Sequence, residues 1–191
     1  FAIITPALIT GAFCERFKFK TYLVFLVLWV TFVYAPIAHW VWDSNGWLAN
    51  MGALDFAGGA VVHINAGIAA IAAAALVGRR KKSDVSPNNV PFVILGASML
   101  WFGWFGFNAG SGLAANGQAV SAFLVTNTSA ATAMMVWVIL GIMHGGKVSG
   151  VGAAVGAIAG LATITPASGF VGVDAALILG LISGIVTYYA V

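Results

Sequence analysis

Residues 55–78 read DFAGGAVVHINAGIAAIAAAALVG. After Asp55 the stretch carries no further charged side chain at neutral pH until Arg79, and its polar exceptions are His63 and Asn65. A helix of roughly twenty apolar residues crosses ~30 Å of hydrocarbon, and this run is long enough to do so. An ionisable imidazole inside such a run needs a reason, because polar groups at that depth are costly and mark functional sites by default.

The rest of the chain has the same character. Of 191 residues, 61% are hydrophobic and 7% are charged, with a mean hydropathy of +1.02. Soluble domains are about a quarter charged because their surface faces water. The pattern therefore predicts an all-α polytopic membrane protein. The formal net charge of +3 comes from short clusters between spans, which argues against a nucleic-acid partner. Cys14 is the single cysteine, so no internal disulfide can form.

Apolar runs and breakers predict spans at about 21–42, 55–78, 90–113, 119–143, 150–165 and 170–191, preceded by a short piece at 1–12. The piece at 1–12 reads as the back half of a helix, and the run ending at Val191 has no polar flank. Residues 1–191 thus read as a single transmembrane domain truncated at both ends. Arg16, Lys18, Lys20, Arg79, Arg80, Lys81, Lys82 and Lys147 fall only on alternate connectors. The positive-inside rule then puts 13–20, 79–89 and 144–149 in the cytoplasm, and 43–54, 114–118 and 166–169 outside.

Glycines at 152, 156 and 160, at 106 and 110, and at 180 and 184 recur every four residues, the spacing of close helix packing in lipid. The sequon at 127–129 falls inside a span, which argues against glycosylation. No HExxH, GxSxG, Walker A or GxGxxG motif is present, and Cys14 has no catalytic partner, so neither an enzyme nor a cofactor or metal site is expected.

Asp55 stands where an N-cap belongs. Its carboxylate can accept the free N–H groups of the first turn; a cap alone and a cap with a functional role both remain open. Eight residues further, about 12 Å along a helix, His63 lies near mid-membrane. A pore group and a satisfied packing histidine are the two readings there. His39 and His144 lie near span boundaries, where solvation is easy.

These blocks together resemble the ammonium transporter (Amt) family. DFAGGAVVHINAGIAAIAAAALVGRR from Asp55, WFGWFGFNAGS at 101–111, CERFKF at 14–19, APIAHWVW at 35–42 and TPASGFVG at 165–172 match family blocks in order. The resemblance covers essentially the whole chain. It implies part of an eleven-helix fold with two inverted repeats, from late in the third helix to the ninth. It also implies a homotrimer in the cell membrane with a pore in each protomer, and in bacteria a PII-type cytoplasmic regulator.

By the family pattern, Phe1 and Trp42 resemble the aromatic groups of an outer ammonium-recruitment site, with Ser111 as its hydroxyl. Phe107 resembles a gate ring acting with Phe1, and His63 the first of two pore histidines. Asp55 resembles the family's structural carboxylate near the mouth, and Trp104 and Thr165 correspond to pore-side positions. The second pore histidine belongs to a later helix, and the 43–54 loop is about a residue longer than the pattern. The implied function is ammonium transport, with the cation recruited, deprotonated and conducted as ammonia. A Rhesus-type gas channel shares the fold, but Trp42 and Ser111 favour the Amt branch; an ammonium sensor would use the same residues.

Overall fold

The computed structural model describes residues 1–80 and 86–191. Lys81 and Lys82, part of the connector assigned to the cytoplasm, lie outside the described residues. Among the described residues all regular structure is helical, as the composition requires. It divides into two compact units, Phe1–Val85 and Ser86–Val191.

In the first unit, the piece expected at 1–12 is a short helix, α1 (Ile4–Leu8), followed by a 3₁₀ turn at Thr10–Ala12. The run expected at 21–42 begins two residues earlier. It consists of α2 (Phe19–Trp29), a π-helical turn (Val30–Tyr34) and α3 (Ala35–Trp42) in direct succession. Pro36, at the start of α3, has no N–H to donate and its ring crowds the preceding turn. The wide turn immediately before it relieves that conflict.

The connector after α3 contains α4 (Trp47–Asn50), an element the breaker-rich sequence conceals. Gly46 makes the reversal possible, because a Cβ there would collide with the carbonyl oxygens of His39 and Trp40. Trp40 and Trp47 then meet with ring centroids 5.9 Å apart. The run expected at 55–78 is also composite, with a π-helical segment at Gly59–Ile64 leading into α5 (Asn65–Val77). Ile9, Phe13, Trp29, Tyr34, Val41 and Val61 form the unit's core.

The second unit is built from longer, more regular helices: α6 (Val90–Ala109), α7 (Gly117–Gly145), α8 (Gly150–Ile164) and α9 (Val173–Ala190). A 3₁₀ turn at Gly110–Gly112 extends α6. Asn89, Asn116 and Ser149 each cap a helix by accepting one backbone N–H, from Phe92, Ala119 and Gly152 respectively. The cap at Asn116 starts α7 two residues before the expected boundary.

α7 is the element against which the other three helices pack. A Cβ on Gly160 would lie 2.5 Å from the Ser129 carbonyl oxygen, and one on Gly180 2.6 Å from that same atom. The Ser129 hydroxyl also donates to the Gly160 carbonyl at 2.9 Å. Two of the glycine series expected from the sequence therefore are packing faces. At Gly106 and Gly110, in contrast, no other described residue stands within 4 Å of where a Cβ would lie. Spacing alone does not say whether a neighbour occupies the groove.

Among the described residues, five helical runs are long and apolar enough to cross a membrane: Phe19–Asn50, Gly59–Val77, Val90–Gly112, Gly117–Gly145 and Val173–Ala190. α8 is a shorter apolar helix. Large apolar side chains such as Phe32, Ile71, Leu76 and Phe102 are mostly exposed, an arrangement suited to hydrocarbon rather than water.

Candidate functional site

The segment opening the first unit's last helix is organised by Asp55. One carboxylate oxygen accepts the N–H groups of Gly58 (2.8 Å) and Gly59 (2.6 Å), and the other those of Ala60 (2.8 Å) and Val61 (3.1 Å). The first turn of any helix leaves four such donors without an intrahelical partner. A single buried side chain here takes four consecutive donors, so both oxygens are committed to the backbone. Gly58 adopts a left-handed φ of 107°, the backbone region glycine enters without penalty. This lets the chain fold over the carboxylate.

The Asp55 turn is tied to the end of α3. The Trp42 indole N–H donates to the Asp55 carbonyl at 2.8 Å, which fixes the ring. Phe1 packs against Trp42 with centroids 5.4 Å apart and planes tilted by 48°. Phe1 is 44% exposed and Trp42 38%, so the pair presents aromatic surface rather than serving only as core. A cation over such faces gains about 0.5–2 kcal/mol per ring.

His63 lies on the π-helical segment. Its backbone N–H bonds to the carbonyl of Gly58, five residues back, and the same oxygen accepts from Val62. The imidazole is half-buried, while Val61 and Val62 beside it are fully buried. One carboxylate thus anchors the segment that carries the histidine, and the same residue's carbonyl holds the tryptophan of the aromatic pair. His39 and His144 are placed otherwise. His39 approaches Asp43 at 3.5 Å, and His144 stacks on Tyr188 with its Nδ1 3.2 Å from the phenol oxygen.

The second unit groups the remaining positions. Trp104 donates its indole N–H to the Thr165 hydroxyl at 2.8 Å, and that hydroxyl donates to the Leu161 carbonyl at 2.7 Å. Trp104 and Phe107 pack with centroids 5.5 Å apart. Ser111, one turn on, donates to the Phe107 carbonyl at 2.8 Å and is half-buried. Thr165 is fully buried, and its contribution is to orient Trp104.

Asn108 was not singled out from the sequence. It is fully buried next to Phe107, and its amide donates to the Thr126 hydroxyl at 2.9 Å. Its carbonyl oxygen accepts no hydrogen bond among the described residues. An asparagine in the last turn of an apolar span was the available signal. Among the described residues, no three His, Cys, Asp or Glu side chains converge as metal ligands would.

Apolar membrane-length helices, a capped turn bearing a histidine and exposed aromatic surface beside it define a multi-pass helical membrane protein with polar groups set inside its spans. The Ammonium Transporter Family model matches residues 1–191, and the chain belongs to that family. It is 53% identical to the ammonium transporter Amt1 of Archaeoglobus fulgidus, over all of this chain and 49% of the relative. It is 52% identical to an ammonium transporter of Aquifex aeolicus, over all of this chain and 45% of that protein.

Among solved structures, Candida albicans Mep2 superposes with a TM-score of 0.93 at 43% identity, over 99% of this chain and 43% of that one. A protein described as a sensor Amt protein gives 0.91 at 35% identity, over 99% of this chain and 50% of its own. The chain therefore spans about half the length of the relatives it matches.

Proposed function

We propose that the full-length protein transports ammonium across the cell membrane, as a transporter rather than an enzyme. The observation that carries this reading is the Asp55 turn. It fixes Trp42 beside Phe1 at an exposed aromatic surface, and it anchors the wide helical segment that bears His63.

Moving a small cation into low dielectric costs on the order of 20 kcal/mol in the Born limit. Aromatic faces return only about 0.5–2 kcal/mol each. Such a surface can collect and select ammonium, yet it cannot carry the charge through hydrocarbon. Neutral ammonia avoids most of that cost. Recruitment at Phe1 and Trp42, with the Ser111 hydroxyl as the family pattern assigns it, is therefore followed by transfer of one proton from ammonium to water and passage of ammonia. By the family pattern Phe107 and Phe1 are the gate rings, and Trp104, oriented by Thr165, shapes the path. Neutral His63 offers one donor and one acceptor to the passing molecule. Potassium has no proton to lose and is refused.

Family membership supports a homotrimer in the plasma membrane and a PII-type regulator at the cytoplasmic face. Likeness to the sensor Amt protein supports a second reading, in which the same residues bind ammonium and report it. Reconstituted vesicles of the full-length protein separate the two, since a sensor binds without net flux. In a transporter, His63→Ala reduces ammonium flux at least about tenfold, a loss of ~1.4 kcal/mol in barrier terms. His63→Asp retains flux but admits potassium. Wild-type rate and selectivity in both folded variants would make His63 a packing residue and overturn the mechanism.

A further inference from the structure

The outer end of α3 carries a carboxylate that the transport mechanism above does not use. Trp42 is the last residue of α3, and Asp43 follows it in extended conformation, with φ −78° and ψ 140°. The Asp43 N–H donates to the His39 carbonyl at 3.1 Å, and the Asp43 carbonyl accepts the Gly46 N–H at 2.8 Å. The carboxylate itself accepts the Asn45 N–H at 2.8 Å. These bonds hold the acid at the end of the helix, next in sequence to the ring of the aromatic pair.

Helix energetics do not favour an acid there, because the carbonyls of a helix C-terminus already present partial negative charge. Nor is the charge neutralised by a permanent cation. His39 Nδ1 lies 3.5 Å from the carboxylate, but an imidazole is charged only when protonated. Asp43 is the one formal charge across 43–54, and none of the three connectors assigned outward carries Lys or Arg. Its side chain is 43% exposed. Asp55 differs, since four backbone N–H groups answer its charge. An uncompensated negative charge thus stands beside the Phe1–Trp42 surface.

We infer that Asp43 steers ammonium to that surface, raising the concentration of the cation at the rings that recruit it; this rests on the recruitment step proposed above. Contact is not required. Consecutive Cα atoms are about 3.8 Å apart, so a cation over the Trp42 ring stands roughly 10 Å from the carboxylate, about one Debye length at 0.1 M salt. At that distance one unit charge raises the local cation concentration about two-fold at the dielectric of water, and about four-fold at half that value. The rings select and the carboxylate attracts. Neutral ammonia gains nothing from it, so the preference is for the protonated form.

The test is methylammonium uptake at neutral pH by the full-length protein in phosphatidylcholine vesicles, whose zwitterionic lipid adds no net surface charge. Asp43→Asn keeps an oxygen for the Asn45 N–H and removes only the charge. At about 10 mM salt it lowers kcat/KM about two- to four-fold and leaves kcat at the wild-type value. Asp43→Lys lowers kcat/KM at least about four-fold, and Asp43→Glu restores it. At about 0.5 M salt all three converge on the wild type, because the Debye length falls below about 5 Å.

Wild-type kcat/KM in Asp43→Asn at low salt would overturn the inference. So would a loss that high salt leaves intact, or a loss in kcat, since either belongs to a carboxylate that only holds the turn. Size exclusion reports folding. Should Asp43→Asn not fold, the wild type alone decides: its kcat/KM falls with salt by the same factor, and a salt-independent value overturns the steering. Absence of flux in the wild type would instead sink the transport reading. Calorimetric binding of ammonium chloride to the detergent-solubilised protein then decides the role of Asp43. Affinity about two- to four-fold weaker in Asp43→Asn upholds it, and equal affinity overturns it.

Discussion

The two units begin their helices by different means. In the second, Asn89, Asn116 and Ser149 each accept one backbone N–H, all at exposed ends. In the first, Asp55 accepts four N–H groups, and the residue is nearly buried. An exposed end can be completed by water, so one side-chain bond suffices. A helix start away from water must find every partner in the protein, since an unmade buried hydrogen bond costs its full desolvation. A concentrated cap therefore marks a helix end that lies inside the protein, and this is the helix that carries His63.

Removing the concentrated cap has the largest expected effect. Asp55→Ala strands four donors at about 1–3 kcal/mol each, a total on the order of 4 kcal/mol or more. The full-length variant should fail to accumulate as a monodisperse species on size exclusion. Asp55→Asn keeps one carbonyl oxygen and sets its NH₂ against donors, so it should fall between alanine and wild type in thermal stability. Wild-type stability of Asp55→Ala would mean that water reaches this turn, and the contrast between the units would fail.

The next effect tests close packing in the second unit. Gly160→Ala puts a methyl group 2.5 Å from the Ser129 carbonyl oxygen and should destabilise by about 1–3 kcal/mol through overpacking. Gly106→Ala, where a Cβ meets no other described residue, should cost less than Gly160→Ala in a melt of the full-length protein. The paired measurement discriminates a packing glycine from one that merely keeps the spacing.

The smallest effect belongs to the exposed cap. Asn116→Ala should cost about 1 kcal/mol, a few degrees at most in a thermal melt, with no loss of assembly. A collapse comparable to that of Asp55→Ala would show that capping strength does not follow burial here.

Much of the architecture was legible because hydrocarbon imposes a coarse code. Runs of apolar residues placed the starts of α6, α7, α8 and α9 within about three residues, whereas the first long run continues to Asn50, past the expected end at 42. Asp55 was legible as a cap, since an acid at the head of an apolar run has few other uses. Its fourfold engagement was not, because that depends on Gly58 turning left-handed three residues later. The π-helical segments were hidden for a related reason. They differ from α-helix in hydrogen-bond register, not composition, and only Pro36 offered a local hint at one of them. The Trp104–Thr165 bond joins residues 61 positions apart, and no local pattern pairs them. α4 escaped notice because four residues between turn formers carry no periodicity.

The wide segment at Gly59–Ile64 sets two azimuths independently. A π-helical turn holds one more residue than the α-helical turn it replaces, so everything beyond it is rotated by about 100° relative to an uninterrupted α-helix. Residues before it keep the facing dictated by Asp55, while Ala69, Ala72 and Ala73 of α5 keep the facing that lines an apolar groove beside α2. Deleting a single residue here would preserve length to within ~1.5 Å yet swing the alanine face away from α2. The segment works as a phase shifter: one extra residue lets a single rod serve the Asp55 cap at its head and a packing requirement along its shaft.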